Sequence, residues 1–239
     1  TASFRFDGRK EVGQFSWVNN ERLIFQILYR EPDKEMPLNY GELYAINYDG
    51  TSGEMVYGYS AAGTQTGSRL KKKKSIRGWA ELIDPLPNDE RHVLISSTPM
   101  SDSGERIAII YKLDVYTGVL KNKVAASPVP FASFLTDAEG ELKIAHGINK
   151  HHKAELYFRQ DGEWHQIPDS VVSSRVRPIS LNAKGTHLYT LDSAQSDTMG
   201  FYKLSLKDFS YKKLYANEQV DITDVELSSD KRTAFALRV

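Results

Sequence analysis

Apolar and polar residues alternate along this chain in short runs, and most runs end in a polar turn. VGQFSWVNNERLIFQILY (12–29) is one run, a turn at Asn19-Asn20-Glu21, and a second run. The shape returns in IRGWAELIDPLPNDERHVLISS (76–97), PFASFLTDAEGELKIAH (130–146), VRPISLNAKGTHLYTL (176–191) and ITDVELSSDKRTAFALRV (222–239). Alternation over a few residues, rich in branched and aromatic side chains, predicts half-buried strands. No longer window carries an apolar stripe at the helical period, so little helix is expected.

The turns keep a period. Asp137, Asn182 and Ser228 open successive turns 45 and 46 residues apart, and Tyr111, Tyr157 and Tyr202 are spaced by 46 and 45. Each full unit adds a third run (GELYAINYDG, IAIIYKLDVYTG, KAELYFRQDG, MGFYKLSLKDF) and a trailing fourth one (EMVYGYS, LKNKVAAS, EWHQIP, SYKKLYA). A repeat of this length with four strands predicts the blades of an all-β propeller. Units fall near 12–60, 76–127, 129–170 and 175–217, with a half unit at 222–239, all within one domain or fragment. Phe15 to Trp79 spans 64 residues, and the excess lies in REPDKEMPLNY (30–40) and the segment near GTQTGSRLKKKKS (63–75), both expected to be loops. The ring is expected either to be partial, with about four and a half antiparallel blades, or to close as five. In the second case the strand-like piece SFRF (3–6) would join 222–239 in a three-stranded blade, and in the first it would belong to a preceding blade.

The 239 residues carry 31 basic and 31 acidic side chains, so no net charge calls for a nucleic-acid partner. Cysteine is absent, which removes disulfides, thiolate metal sites and a cysteine nucleophile. No apolar run approaches the roughly 20 residues of a membrane span. The start TASFRFDGRKE has neither an initiating Met nor an apolar signal core, so the chain reads as a mature or excised product.

The second unit adds a resemblance. The turn Leu86-Pro87-Asn88-Asp89, the strand start His92-Val93-Leu94, and Tyr111 followed by Thr117-Gly118 resemble the N-terminal propeller of the prolyl-oligopeptidase-like (S9) serine peptidases. GQFSWVNNERLIFQI is similar to the same family's Trp-centred strand. Residues 12–30 and 76–118 carry the distinctive part, and TolB-like propellers share the general rhythm. The resemblance implies a parent in which the propeller gates access for peptides to a C-terminal α/β-hydrolase domain holding a Ser-Asp-His triad. It implies a periplasmic or otherwise exported location, with the cytoplasm as the alternative.

That second domain is not in this sequence. A nucleophile elbow needs Gly-x-Ser-x-Gly, and none occurs. Ser103-Gly104 is the nearest approach and reads as a turn. No catalytic residue, cofactor or metal is therefore expected here. Two readings compete with the peptidase propeller: a stand-alone TolB-like protein- or peptide-binding propeller, and a five-bladed glycoside-type hydrolase.

Single residues tempt other readings. His146, His151 and His152 could converge on zinc, but they read as a solvated loop between second and third strands. Lys71 to Lys74 with Arg69 and Arg77 could meet phosphates, but without interleaved aromatics they read as a wet inter-blade loop. Asp84, Asp89, Asp137 and Glu139 could pair as glycosidase carboxylates, but they occupy turn positions, where such side chains satisfy local amides. Trp17 and Trp79 are expected in the core or between blades, and Trp164 on a partly exposed outer strand. Glu11, Gly41 and Arg159 read as scaffold. Open blade edges predict self-association.

Overall fold

The computed structural model describes residues 3–6, 8–61, 75–100 and 106–239. Each predicted unit is an antiparallel sheet of four strands in simple sequence order. Blade A comprises β1 (Lys10–Trp17), β2 (Arg22–Tyr29), β3 (Leu38–Asn47) and β4 (Glu54–Tyr57). Blade B comprises β5 (Gly78–Asp84), β6 (His92–Pro99), β7 (Ile109–Asp114) and β8 (Leu120–Ala126). Blade C comprises β9 (Ser133–Thr136), β10 (Leu142–Ile148), β11 (Ala154–Gln160) and β12 (Glu163–Gln166). Blade D comprises β13 (Arg177–Leu181), β14 (His187–Asp192), β15 (Gly200–Ser205) and β16 (Tyr211–Tyr215). The hairpin β17 (Asp224–Leu227) and β18 (Ala234–Arg238) follows as half a blade. Helix among the described residues is limited to one 3-10 turn, Tyr59–Ala61.

Contacts divide the chain into two compact units, 1–126 and 127–239. In the first, blades A and B bury Ile24, Leu43, Ala45, Val56 and Tyr57 against Ala80, Val93, Ile95, Leu113 and Val115. In the second, Ile144 and Leu156 of blade C meet Leu181, Leu188 and Leu204 of blade D, with Val172 and Val176 from the connecting segment. Leu191, Met199 and Phe201 of blade D then meet Ile222 and Val225. A four-stranded sheet cannot bury both faces alone, so within each unit adjacent sheets supply cover to one another. The outer strands β8 and β16 expose Lys121, Lys123, Lys212 and Lys213, charges that discourage further pairing.

The first hairpin of every blade closes by one device. A side-chain oxygen opening the turn accepts backbone amides beyond it. Asn19 Oδ1 takes those of Glu21 and Arg22, Asp89 Oδ1 those of Arg91 and His92, Asp137 Oδ1 those of Glu139 and Glu141, Asn182 Oδ1 those of Thr186 and His187, and Ser228 Oγ that of Thr233. This is the Asx/ST-turn chemistry that makes these residues turn formers. In the later three turns the fourth residue donates its amide to the first one's carbonyl: Gly140 to Asp137, Gly185 to Asn182 and Lys231 to Ser228. All three have positive φ, at +80°, +66° and +58°. Only the last is not glycine. A left-handed L-residue costs roughly 1–2 kcal/mol, partly offset because glycine loses more entropy on folding. Lys231→Gly is therefore expected to stabilise the second unit by about 0.5 kcal/mol, read as a higher urea midpoint. A lower midpoint would contradict it.

Three expectations change. Residues 3–6 form no strand. Phe4 and Phe6 lay their rings on Phe25 and Tyr44 of blade A, at centroid distances of 5.1–6.5 Å. A three-stranded fifth blade built with SFRF does not form, because those residues serve as an aromatic cover instead. Trp17 is 51% exposed rather than core, since it lies on the edge strand β1 with Phe15 and Val12. His146 lies inside β10, not in the loop with His151 and His152.

Candidate functional site

In the first unit the turns ending β1 and β7 meet the turn that precedes β6. Asn19 joins them: its Nδ2 donates to the Glu90 carbonyl at 2.6 Å and to the Tyr116 hydroxyl at 2.9 Å. Arg22, fully buried, crosses from β2 to donate Nε to the Val115 carbonyl at 2.8 Å and Nη1 to Asn47 Oδ1 and the Ser52 carbonyl. Its guanidinium lies over the Tyr116 ring at 4.7 Å, and Glu54 stands 3.6 Å away. Burial lowers the Arg22 pKa, with Glu54 opposing, but a guanidinium stays charged in any protein environment. It acts as a fixed strut between blades.

Beside this strut opens a recess of about 390 Å³ lined by Trp17, Val18, Asn19 and Asn20. Asn19 has its oxygen and nitrogen engaged. The recess thus offers the exposed indole of Trp17 and the exposed Asn20, an aromatic plate with an amide at its rim. Such a surface binds through apolar contact and hydrogen bonds.

The nearby acids are committed. Asp114, almost fully buried, accepts Arg91 Nε at 2.7 Å and the amides of Tyr116 and Thr117. Burial pushes its pKa up, but Arg91 and those donors outweigh it and hold the carboxyl below its usual range. A depressed folded-state pKa contributes stability above the unfolded value of about 3.9, lost as pH falls through the folded one. Asp114→Asn is expected to lower the urea midpoint at neutral pH, the gap from the parent closing toward acid. An equal gap at all pH values would contradict it.

The other acids are local too. Asp84 accepts the Leu86 amide, and Asp89 pairs with His92 Nδ1 at 2.9 Å as well as its two amides. His92 and Asp89 make the imidazole–carboxylate half of a triad, but His92 Nε2 is buried with no hydrogen-bond partner, so the pair closes a turn. In the second unit Asp137 is buried, with Lys143 Nζ at 3.4 Å. Arg232 donates to the Thr136 and Asp137 carbonyls at 2.7 and 2.5 Å. Asp137 thus serves its own turn, while Glu139 lends that turn its amide and is exposed to solvent.

The histidine trio separates. Burial lowers the pKa of His146, partly countered by its hydrogen bond to the Val176 carbonyl, while His151 and His152 sit exposed in the following turn. Among the described residues no cluster of three or more His, Asp or Glu could hold a metal. Arg77 lies over the Tyr59 ring at 5.6 Å, whereas Lys71 to Lys74, Arg69 and Ser103-Gly104 lie outside the described residues. Trp79 receives the Arg106 guanidinium at 5.1 Å, and Trp164 is half-buried on outer strand β12, as expected. Glu11 pairs with Arg30 on the surface, and Arg159 lies on β11. Asn19, Arg22 and Tyr116 escaped the sequence reading. The available signal was the matching place of Asn19, Asp137 and Asn182 at the head of their turns.

No protein-family model matches the chain, and no curated protein does so by sequence. Solved structures do. A prolyl endopeptidase, from a work on inter-domain dynamics in catalysis and specificity, superposes with a TM-score of 0.50 at 12% identity over 87% of this chain and 30% of its own. The chain has the β-propeller fold. A putative TolB from Agrobacterium tumefaciens (TM-score 0.49, 13% identity, 87% of this chain and 63% of its own) and TolB from Acinetobacter baumannii (0.49, 11%, 95% and 61%) are similar at lower levels. The chain therefore spans less than two thirds of the length of each of these proteins. Among the described residues no helix is long and apolar enough to cross a membrane.

Proposed function

We propose that this propeller is the non-catalytic part of a serine peptidase, contacting peptides and a C-terminal α/β-hydrolase domain and gating access to it. The observation that carries the reading is the second blade. The residues that carry the resemblance stand together in it: Asp89 caps the turn before β6, His92-Val93-Leu94 opens β6, Tyr111 lies on β7, and Thr117-Gly118 turns β7 into β8. Gly118, at φ +65°, lies against blade A, where a Cβ would stand 2.7 Å from the Val56 carbonyl oxygen. The fold shared with a prolyl endopeptidase supports the same reading but speaks to fold alone. An exported, periplasmic setting goes with it.

The open recess favours a second reading, a stand-alone binding propeller of the TolB-like kind, since an exposed Trp beside an amide suits a peptide whatever the parent. A glycoside-type hydrolase has less support, because Asp84, Asp89 and Asp137 are all spent on turn amides.

A serine-directed fluorophosphonate and a peptide titration test these readings together. The chain is expected to take no label. Unstructured peptides are expected to quench its tryptophan fluorescence, and Trp17→Ala to weaken their binding about tenfold, as for loss of a buried aromatic contact. Labelling of this chain would refute the non-catalytic assignment. Unchanged binding in Trp17→Ala would remove the recess from it. Hydrolase activity restored by adding the α/β-hydrolase domain of the same parent separates the peptidase reading from the stand-alone one.

A further inference from the structure

The segment that leads from blade C to blade D runs along the seam between them. Its Val172 and Val176 pack with Ile144 and Leu156 of blade C and with Leu181, Leu188 and Leu204 of blade D. Polar bonds tie it to both sides. Toward blade D, Ser173 gives its amide and its hydroxyl to Asp192. Toward blade C, the Val176 carbonyl accepts a hydrogen bond from His146. His146 stands two residues beyond Ile144 on β10 and opposite Leu156 of β11, so its ring enters the same apolar seam. Its Nε2 is shut from solvent and has no hydrogen-bond partner among the described residues.

We propose that residues 171–176 form an acid-released strap: a proton taken up at His146 frees the strap from blade C and loosens blades C and D. A neutral imidazole has one N–H, spent here on Val176. Protonation adds a charge and a second N–H, at the Nε2 that has no acceptor. The ionisable groups on the surrounding elements are engaged elsewhere. β9 carries none. On β10, Lys143 lies with Asp137 and Glu141. On β11, Glu155 takes Asn149 and Tyr157, and Arg159 acts on Glu141. His165 of β12 packs on Phe158. In the segment itself, Asp169 pairs with Lys153 and Arg175 with Asp221. From blade D, Asp192 takes Ser173, Ser193 and Tyr211, and Tyr202 stacks on Tyr211. Burial is what lowers the His146 pKa from its ordinary 6.5, and the Val176 bond opposes it only in part. With the folded value below the unfolded one, the contribution of His146 to stability is full above the unfolded value. It is lost as pH falls from there to the folded value, and opening of the strap rises by up to about tenfold for each pH unit in that window.

Nuclear magnetic resonance of the unmodified chain tests this directly. The His146 imidazole is expected to titrate at lower pH than those of His151 and His152, which are exposed. Over the same range, the protection factors of amides in 171–176 and in β10 are expected to fall by up to about tenfold per pH unit, from the ordinary imidazole value down to the His146 midpoint. His146→Gln keeps an N–H donor for Val176 and has no ring to titrate. Its protection in the strap is expected to stay level across that window, whatever its stability at neutral pH. The proposal is overturned if His146 titrates with or above His151 and His152, or if strap protection in the parent does not change with pH. It is also overturned if His146→Gln shows the same acid-dependent fall, since the proton is then sensed elsewhere.

Discussion

Gly41→Ala is expected to force blade A away from blade B and to destabilise the first unit strongly. Gly41 begins the buried half of β3, at φ +74°, with its amide bonded to Asn39 Oδ1 at 2.7 Å. A Cβ there would lie 2.2 Å from the Trp79 Cα, and 2.8 Å from both the Ala80 nitrogen and the Gly78 oxygen. All three are backbone atoms of β5, so no rotamer change relieves the overlap. Two costs add. The left-handed backbone costs an L-residue roughly 1–2 kcal/mol. Forcing β3 and β5 apart is an overpacking cost of about 1–3 kcal/mol. The sum, about 2–5 kcal/mol before glycine's entropic cost is set against it, is a large share of a domain's usual 5–15 kcal/mol. It should appear as a collapse of the urea midpoint and as lost amide protection in β3 and β5. Gly8→Ala separates the terms: its φ is +78°, yet nothing lies within 4 Å of a Cβ there. That variant should lose only about 0.5–1 kcal/mol, the left-handed cost less glycine's entropic one. Equal losses at the two sites would show that backbone conformation alone sets the cost and that the blades have room to part.

Gly41 also marks what the sequence conceals. In the alternating pattern it is one glycine in a run that reads as strand, and nothing local says that another blade's backbone passes beside it. Local chemistry was legible. Asp137, Asn182 and Ser228 could be read as turn openers because each satisfies amides a few residues away, and the repeat makes that visible three times over. Contacts between blades were not legible. Asn19 looked like an ordinary turn residue, but its amide reaches Glu90 and Tyr116 across 71 and 97 residues. Trp17 looked like core because tryptophan usually is, whereas the face of an edge strand is buried only if something lies on it. SFRF has strand-like composition, but its two phenylalanines pack on Phe25 and Tyr44 instead of pairing. His146 shares a histidine-rich stretch with His151 and His152, yet the strand ends at Ile148 and divides them. Periodicity reveals the elements, and proximity in space decides which of their faces become sites.

Asp192→Ala is expected to cost as much in the second unit. The carboxylate ends β14 with no exposure to solvent. Its Oδ2 accepts the Ser173 amide at 3.1 Å and the Tyr211 hydroxyl at 2.9 Å, and its Oδ1 accepts the Ser193 amide at 2.7 Å and the Ser173 hydroxyl. One side chain thus ties the segment before β13 to the start of the β14–β15 loop and to outer strand β16. Tyr211 also shares a 2.7 Å contact with Thr190 and stacks on Tyr202 at 4.8 Å. Burial, with Asp192 adding to it, raises the Tyr211 phenol far above its ordinary value, so it stays a neutral donor. Alanine would strand two amides and two hydroxyls in a closed space, at about 1–3 kcal/mol for each buried group left unsatisfied. Thr190 can still serve Tyr211 and water can reach part of the gap, which leaves an expected loss of about 3–4 kcal/mol. Asparagine keeps one acceptor but points an NH₂ at donors, and should fall between alanine and the parent. Ser173→Ala removes one hydroxyl and should cost only about 1 kcal/mol. The order alanine, asparagine, then Ser173→Ala in denaturant midpoints tests whether Asp192 is the node. If Ser173→Ala costs as much as Asp192→Ala, the serine carries the link and the other three bonds to the carboxylate contribute little.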